Sequence, residues 1–262
     1  MLSLKRRVTK IGNLDEEREM LQLGQSSQTK RPRIVAAIPC FNTEPFIAHV
    51  VSKARNHVDQ VIVVDDGSHD GTAEAARAAG ALVRSHGANR GYGEAIKSCF
   101  EAARSSAADV LVILDGDGQH NPDEIPQLLA PILQGEADLI IGSRFLTMEN
   151  TMPRYRRFGI GVITFLWNFG SKIRVSDAQS GFRVYRREVF QSLSLAERGM
   201  SISMEILEKA RRKRAIIKEV PVSCKYIVLT INLRAIRQGL GIALSTVKLR
   251  LRHLICRWGV SH

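Results

Sequence analysis

From residue 33 onward, short apolar runs alternate with stretches whose apolar residues recur at helical spacing. The runs cover residues 34–38, 61–64, 81–83, 110–114 and 139–141. They lack a polar residue at every second position, so they read as strands buried on both faces. Helices are predicted near 44–57, 70–79, 92–106 and 122–134. Strand and helix in alternation predict β-α-β units around a mainly parallel sheet flanked by helices, an α/β fold. Residues 1–32 are polar and charged, with a short helix expected over 15–23. Three segments follow: a polar lead (1–32), an α/β domain (33–226) and a C-terminal tail (227–262).

Polar residues cluster where each predicted strand ends. Pro39-Cys-Phe-Asn42-Thr-Glu44 follows the first run, and Asp65-Asp66-Gly67-Ser68 the second. Asn89-Arg-Gly91-Tyr-Gly93 follows the third, Asp115-Gly116-Asp117-Gly-Gln119 the fourth, and Gly142-Ser143-Arg144 the fifth. The carboxyl edge of a parallel sheet is where open α/β folds bind ligands. Asp115, Asp117 and Gln119 offer hard oxygens at alternate positions, with glycines leaving room between them. Mg2+ and Mn2+ prefer such ligands and keep coordination sites for phosphate. A diphosphate held by such a metal is a better leaving group. The loop is not a calcium-binding loop of the helix-loop-helix kind, because no glutamate closes it at the required distance.

Other positions carry two readings. Asp66 suits a contact to a base or ribose, while Asp70 or Ser68 suits a helix cap. Asn42 fits either a nucleotide pocket or an Asx turn, and Glu44 either a base contact or the first turn of a helix. Lys97 is placed to neutralise phosphate or to sit in solvent. Residues 87–93 are glycine-rich, but they lack the third glycine of a dinucleotide fingerprint and follow the third strand. Arg144 and Arg183 lie in glycine-containing turns, where a guanidinium fork can be aimed at phosphate oxygens.

Charge narrows the partner. The chain of 262 residues carries a formal net charge of +12, so it attracts anions. A nucleic-acid binder would account for that charge, but its aspartates would repel phosphate. No acidic residue follows Glu219. Within that tail Leu244, Val247, Leu251, Leu254, Ile255 and Trp258 recur at helical spacing, with Lys248, Arg250, Arg252 and Arg257 on other sides. This reads as a basic amphipathic helix, lying on a membrane surface or packed on protein. The four cysteines have no metal-ligand spacing and read as free thiols of a reducing compartment. No run is long enough to span a bilayer.

Taken together, IPCFNTE, VVDDGSHDGT, NRGYGEAIKS, LDGDGQHNPDEIP, GSRF, DAQSGFR and EVPVSCKY resemble the family-2 glycosyltransferases of GT-A (Rossmann-like) fold. The subgroup they are most similar to is the polyprenyl-phosphate (dolichyl-phosphate) sugar synthases. The resemblance implies that Pro39, Asn42, Glu44, Asp66 and Ser68 line a nucleotide pocket. It implies that Asp115 helps hold the donor and that Asp117 and Gln119 ligate Mg2+ or Mn2+. Arg144 and Arg183 would orient the donor and acceptor phosphates. Gly116 replaces the family's usual Ala, a change expected to be harmless, and Lys225-Tyr-Ile-Val replaces the subgroup's Gly-Lys-Ser stretch.

The implied reaction is inverting transfer of a hexose or N-acetylhexosamine from a UDP- or GDP-sugar to a polyprenyl phosphate. A lipid phosphate needs little base catalysis, since its second pKa is ~6. Relatives acting on hydroxyls carry an acidic pair before a late helix; here Ser203-Met204-Glu205 supplies one acid. Asp177 and Glu205 remain the candidate bases. Transfer to a saccharide hydroxyl is the alternative within the family. The expected setting is the cytoplasmic face of a membrane, peripherally bound.

Overall fold

The computed structural model describes residues 31–147 and 152–226. The expected N-terminal helix and the amphipathic tail lie outside the described residues. Strand β1 (Ile34–Cys40) leads to α1 (Glu44–Ala54), β2 (Gln60–Asp65) to α2 (Thr72–Ala78), and β3 (Leu82–Ser85) to α3 (Tyr92–Ser105). Strand β4 (Val110–Ile113) is followed by a 3-10 turn (Pro122–Glu124) and α4 (Ile125–Leu133). Then come β5 (Leu139–Ser143), α5 (Arg154–Asn168), β6 (Arg183–Arg186), α6 (Arg187–Ser192), α7 (Ile202–Arg212) and β7 (Ile217–Pro221).

The strands form one sheet in the order β3-β2-β1-β4-β6-β5-β7. The β1–β2, β1–β4, β2–β3 and β5–β7 pairs are parallel, and β6 is antiparallel to both β4 and β5. The architecture is the mainly parallel α/β sheet expected. All five expected strands and four expected helices are present, with ends shifted by a few residues. One expectation fails at β3: its residues are half-buried or exposed, because β3 is the edge strand.

Side chains alternate across the sheet with period two. Val35 and Ala37 of β1 enter one apolar cluster, with Phe100 of α3, Trp167 of α5 and Leu207 of α7. Ile34, Ala36 and Ile38 enter the other, with Ile47 of α1 and Leu128 of α4. Each fully buried large side chain such as Phe100 or Phe190 contributes roughly 1.5–3 kcal/mol from area removed from water. Two packed faces leave the strand ends as the open side of the sheet.

Candidate active site

The first two strands end in loops that clasp each other. Asn42 has a positive φ of 52°. Its amide N–H donates to Ser68 Oγ (2.9 Å), and its side-chain oxygen accepts from the His69 amide (2.9 Å). Asn42 therefore bridges two loops instead of closing its own turn. Glu44 accepts from the Gly71 amide (3.0 Å). Asp70 accepts from the amides of Glu44 and Thr72, at 3.2 and 3.0 Å, so one carboxylate serves the start of α1 and of α2. Strand β1 does not stop at Pro39 but pairs through Cys40 with Asp65.

Asp66 is 3 % exposed and fully engaged. Its carboxylate meets His86 Nδ1 at 2.7 Å and accepts from the amides of Arg90 (2.9 Å) and Gly91 (2.8 Å). His86 Nε2 in turn lies 2.9 Å from Ser98 Oγ of α3. Thus Asp66 fixes the β3–α3 loop against the end of β2. Gly67 needs its glycine: its φ is 73°, and a Cβ there would lie 2.5 Å from the Ala88 carbonyl carbon. Lys97 turns to Glu94 (2.9 Å) and to the Ala196 carbonyl oxygen (3.0 Å).

Asp115 and Asp117 follow β4 at the middle of the sheet's edge. Burial and the neighbouring Asp117 charge push the Asp115 carboxyl up to about 7. Burial likewise raises Asp117. Two carboxylates placed together out of water repel, and a cation relieves that repulsion. Asp117 accepts from the Gln119 amide N–H (3.0 Å) and from its side-chain nitrogen (2.7 Å). The Tyr92 hydroxyl donates to Asp115 (3.3 Å). Gly181 makes room for that aspartate, since a Cβ there would lie 2.1 Å from Asp115 Oδ2. Gly116 is likewise required: a Cβ would lie 2.4 Å from Cys40 Sγ. The glycine that stands where the family usually has Ala is therefore matched to the cysteine beside it.

A buried ion pair lies close enough to the aspartates for its arginine charge to act on both. Arg144 donates through Nε (2.6 Å) and Nη2 (2.8 Å) to the two oxygens of Asp177, which also accepts from the Arg144 amide (3.1 Å). Asp177 has no exposed surface. Burial alone would lower the Arg144 pKa, but the Asp177 charge and hydrogen bonds, with Tyr226 and Cys224 nearby, together raise it. The turn carrying Asp177 is held by Glu219 of β7, which accepts from the amides of Ser176 (2.7 Å) and Asp177 (3.0 Å). Arg144 Nη1 also donates to the Tyr226 hydroxyl (3.0 Å). Arg183 is buried and donates to the carbonyls of Ser203 (3.1 Å) and Ala178 (2.7 Å). Glu205 is buried too, accepting from the amides of Ala196 and Glu197 and pairing with Lys209.

Sequence reasoning missed several of these residues. Gly181 and Glu219 sat inside quoted motifs but were given no role. Tyr92 and His86 carry no spacing signal, because their partners lie 23 and 20 residues away. His120, next to the metal-type loop, is buried neutral, its pKa driven by burial down to about 3. An isolated bridge from His120 to Cys224 brings the segment after β7 onto this loop and so delivers Tyr226 to Arg144.

The fold and the five loops at its edge define a sugar-transferring enzyme that uses a nucleotide-activated donor. Residues 35–194 match the glycosyl transferase family 2 model, and the chain belongs to that family. It is 29 % identical over 215 residues to the UDP-N-acetylglucosamine–dolichyl-phosphate N-acetylglucosaminyltransferase of Methanococcus voltae, covering 74 % of this chain and 86 % of that one. It is 30 % identical to the polyprenol monophosphomannose synthase of Mycolicibacterium smegmatis, covering 76 % and 81 %. Among solved structures, glucosyl-3-phosphoglycerate synthase from Mycobacterium tuberculosis, in complex with Mn2+, UDP and glucosyl-3-phosphoglycerate, superposes with a TM-score of 0.68. That match is 22 % identical and covers 84 % of this chain and 80 % of the other, a likeness of fold. Among the described residues, no helix is long and apolar enough to cross a membrane.

Proposed function

We propose that this enzyme transfers a hexose or N-acetylhexosamine from a UDP- or GDP-sugar to a polyprenyl phosphate, with inversion at the sugar carbon. The observation that carries the reading is the closeness of two charge systems at one sheet edge. The Asp115 carboxyl is raised by burial and by the neighbouring Asp117 charge, and it also feels the charge of Arg144, which Asp177 locks in place. The first system suits a divalent cation, and the second an anionic phosphate. The names of the Methanococcus and Mycolicibacterium relatives support a lipid-phosphate acceptor.

The residues present fit Mg2+ or Mn2+. Asp117 and the side-chain oxygen of Gln119 would hold it, with Asp115 beside them holding the donor. When bound, such a metal screens the donor diphosphate and improves it as a leaving group. The Asn42–Ser68 and Glu44–Gly71 contacts shape the nucleotide pocket, with Pro39 near the end of β1 preceding them. Asp66 supports it by fixing residues 86–91, and Lys97 adds positive charge nearby. Arg144 orients the acceptor phosphate, and Asp177 keeps its fork aimed. Arg183 acts through the turn at Ala178, and its charge also favours ionised Asp115. Both oxygens of Asp177 are occupied by Arg144, and Glu205 by main-chain amides and Lys209, so neither is free to take a proton. An acceptor that arrives already ionised fits that arrangement; a sugar hydroxyl does not.

The test is a matrix of UDP- and GDP-sugars against polyprenyl phosphate and simple saccharides. A lipid-linked sugar formed with one donor is the expected result. Transfer to saccharide hydroxyls alone would overturn the acceptor assignment.

A further inference from the structure

Helix α5 buries Ile163, Thr164 and Trp167 against the domain. Its other side is apolar and bare. Phe158 is 75 % exposed, Phe165 64 % and Phe169, one residue past the helix, 75 %, with Val162 exposed between them. Spacings of four, three and four place these residues in one stripe. The rings of Phe165 and Phe169 already touch, with centroids 6.4 Å apart. Single exposed apolar residues are ordinary, but a contiguous stripe of this kind marks a contact surface.

The charges around the stripe select its occupant. No acidic residue occurs from Met152 to Ser176, while Arg154, Arg156 and Arg157 stand at one end and Lys172 and Arg174 at the other. A second copy of this face would bring cations against cations. The chain's own tail after Tyr226 also lacks acids and would do the same. An anionic lipid surface complements both parts, taking the phenylalanines below its head groups and the cations among them. The Arg156 guanidinium lies over the Tyr226 ring, 5.4 Å from its centroid, and the Tyr226 hydroxyl accepts from Arg144, so the first turn of α5 borders the Arg144 site. The stripe runs outward from that border.

We propose that this face of α5 docks the enzyme on the hydrocarbon edge of an anionic bilayer. A lipid phosphate could then reach Arg144 without leaving the layer that holds its chain; this last point rests on the acceptor reading above.

The experiment is co-sedimentation of the full chain with vesicles of phosphatidylglycerol and phosphatidylcholine, without any polyprenyl phosphate. The Phe158→Ser/Phe165→Ser/Phe169→Ser variant is compared with wild type. All three side chains are mostly in solvent, so a matching thermal melt is expected. The variant should bind these vesicles at least about ten-fold more weakly, because its apolar contact is gone. It should keep its rate on a short, soluble polyprenyl phosphate. Equal vesicle binding by the two proteins would overturn the proposal. So would a wild-type dimer in sedimentation that the variant dissociates, since the face would then join two copies. An incorrect acceptor assignment would appear separately, as no transfer by either protein while the difference in vesicle binding persists.

Discussion

The two halves of the site hold their charges by opposite means. On the side of β1, β2 and β3, the carboxylates of the candidate site are anchored by main-chain amides: Glu44 by Gly71, Asp70 by Thr72 and Glu44, Asp66 by Arg90 and Gly91. On the side of β5, β6 and β7 the candidate group is a cation, held by a buried carboxylate that a half-buried one supports in turn. Asp177 grips Arg144, and Glu219 grips the turn that carries Asp177. Amide donors come with the backbone and survive many side-chain changes. A buried ion pair depends on both partners, and losing either leaves a charge without compensation. The arginine side should therefore be the more fragile of the two.

The hardest test of that contrast is Asp177→Ala. It strands Arg144, which is 8 % exposed, and should cost about 3–5 kcal/mol in denaturant unfolding. Replacing both partners by apolar residues, as Arg144→Met/Asp177→Leu, should restore much of the stability but none of the transfer. A single variant as stable as wild type would break the comparison.

The aspartate loop after β4 should respond to displacement as well as to loss of charge. Gly181→Ala puts a methyl group into Asp115 and should lower turnover roughly a hundred-fold, about 2.7 kcal/mol in the barrier, while the fold persists. An unchanged rate would mean that the position of Asp115 is not critical.

A milder form of the same test uses the pair beneath the loop. Gly116→Ala should cost about 1–3 kcal/mol of stability through overpacking against Cys40. Adding Cys40→Ala should recover most of it. Additive losses in the double-mutant cycle would show that the two sites are independent.

Lys97→Ala sets the floor. Its contacts to Glu94 and the Ala196 carbonyl lie near the surface, and such a pair contributes about 0–1 kcal/mol. A large rise in the donor KM with normal stability would instead give Lys97 a direct part in phosphate binding.

The same contrast decided what could be read from the sequence. Strands β1, β2, β4 and β5 announced themselves as unbroken apolar runs because both faces are buried. Their end loops then gathered at one edge by topology alone, which made Asp66, Asp115 and Asp117 legible. Strand β6 hid because Arg183-Val-Tyr-Arg186 alternates and is only 4 residues long. Its antiparallel insertion between β4 and β5 is set by pairing with distant segments, which no local pattern records. Helix α5 hid behind glycines at 159 and 161 and an apolar face turned to solvent. Asp177 was legible as a motif residue, but its grip on Arg144 spans 33 positions. Helix α7 shows the same limit: Glu205 read as a candidate base, and it is buried on the amides of Ala196 and Glu197.

The central claim is that the crowded aspartates exist to hold a divalent cation under the donor diphosphate. The most direct measurement is transfer of labelled sugar from its preferred nucleotide donor to polyprenyl phosphate, after EDTA treatment and after Mn2+ or Mg2+ is restored, for wild type and Asp117→Ala. The account predicts that EDTA stops wild-type transfer, that metal restores it, and that Asp117→Ala falls by roughly a hundred- to a thousand-fold even with metal present. Transfer within a few-fold of wild type, either in EDTA or in Asp117→Ala, would contradict it.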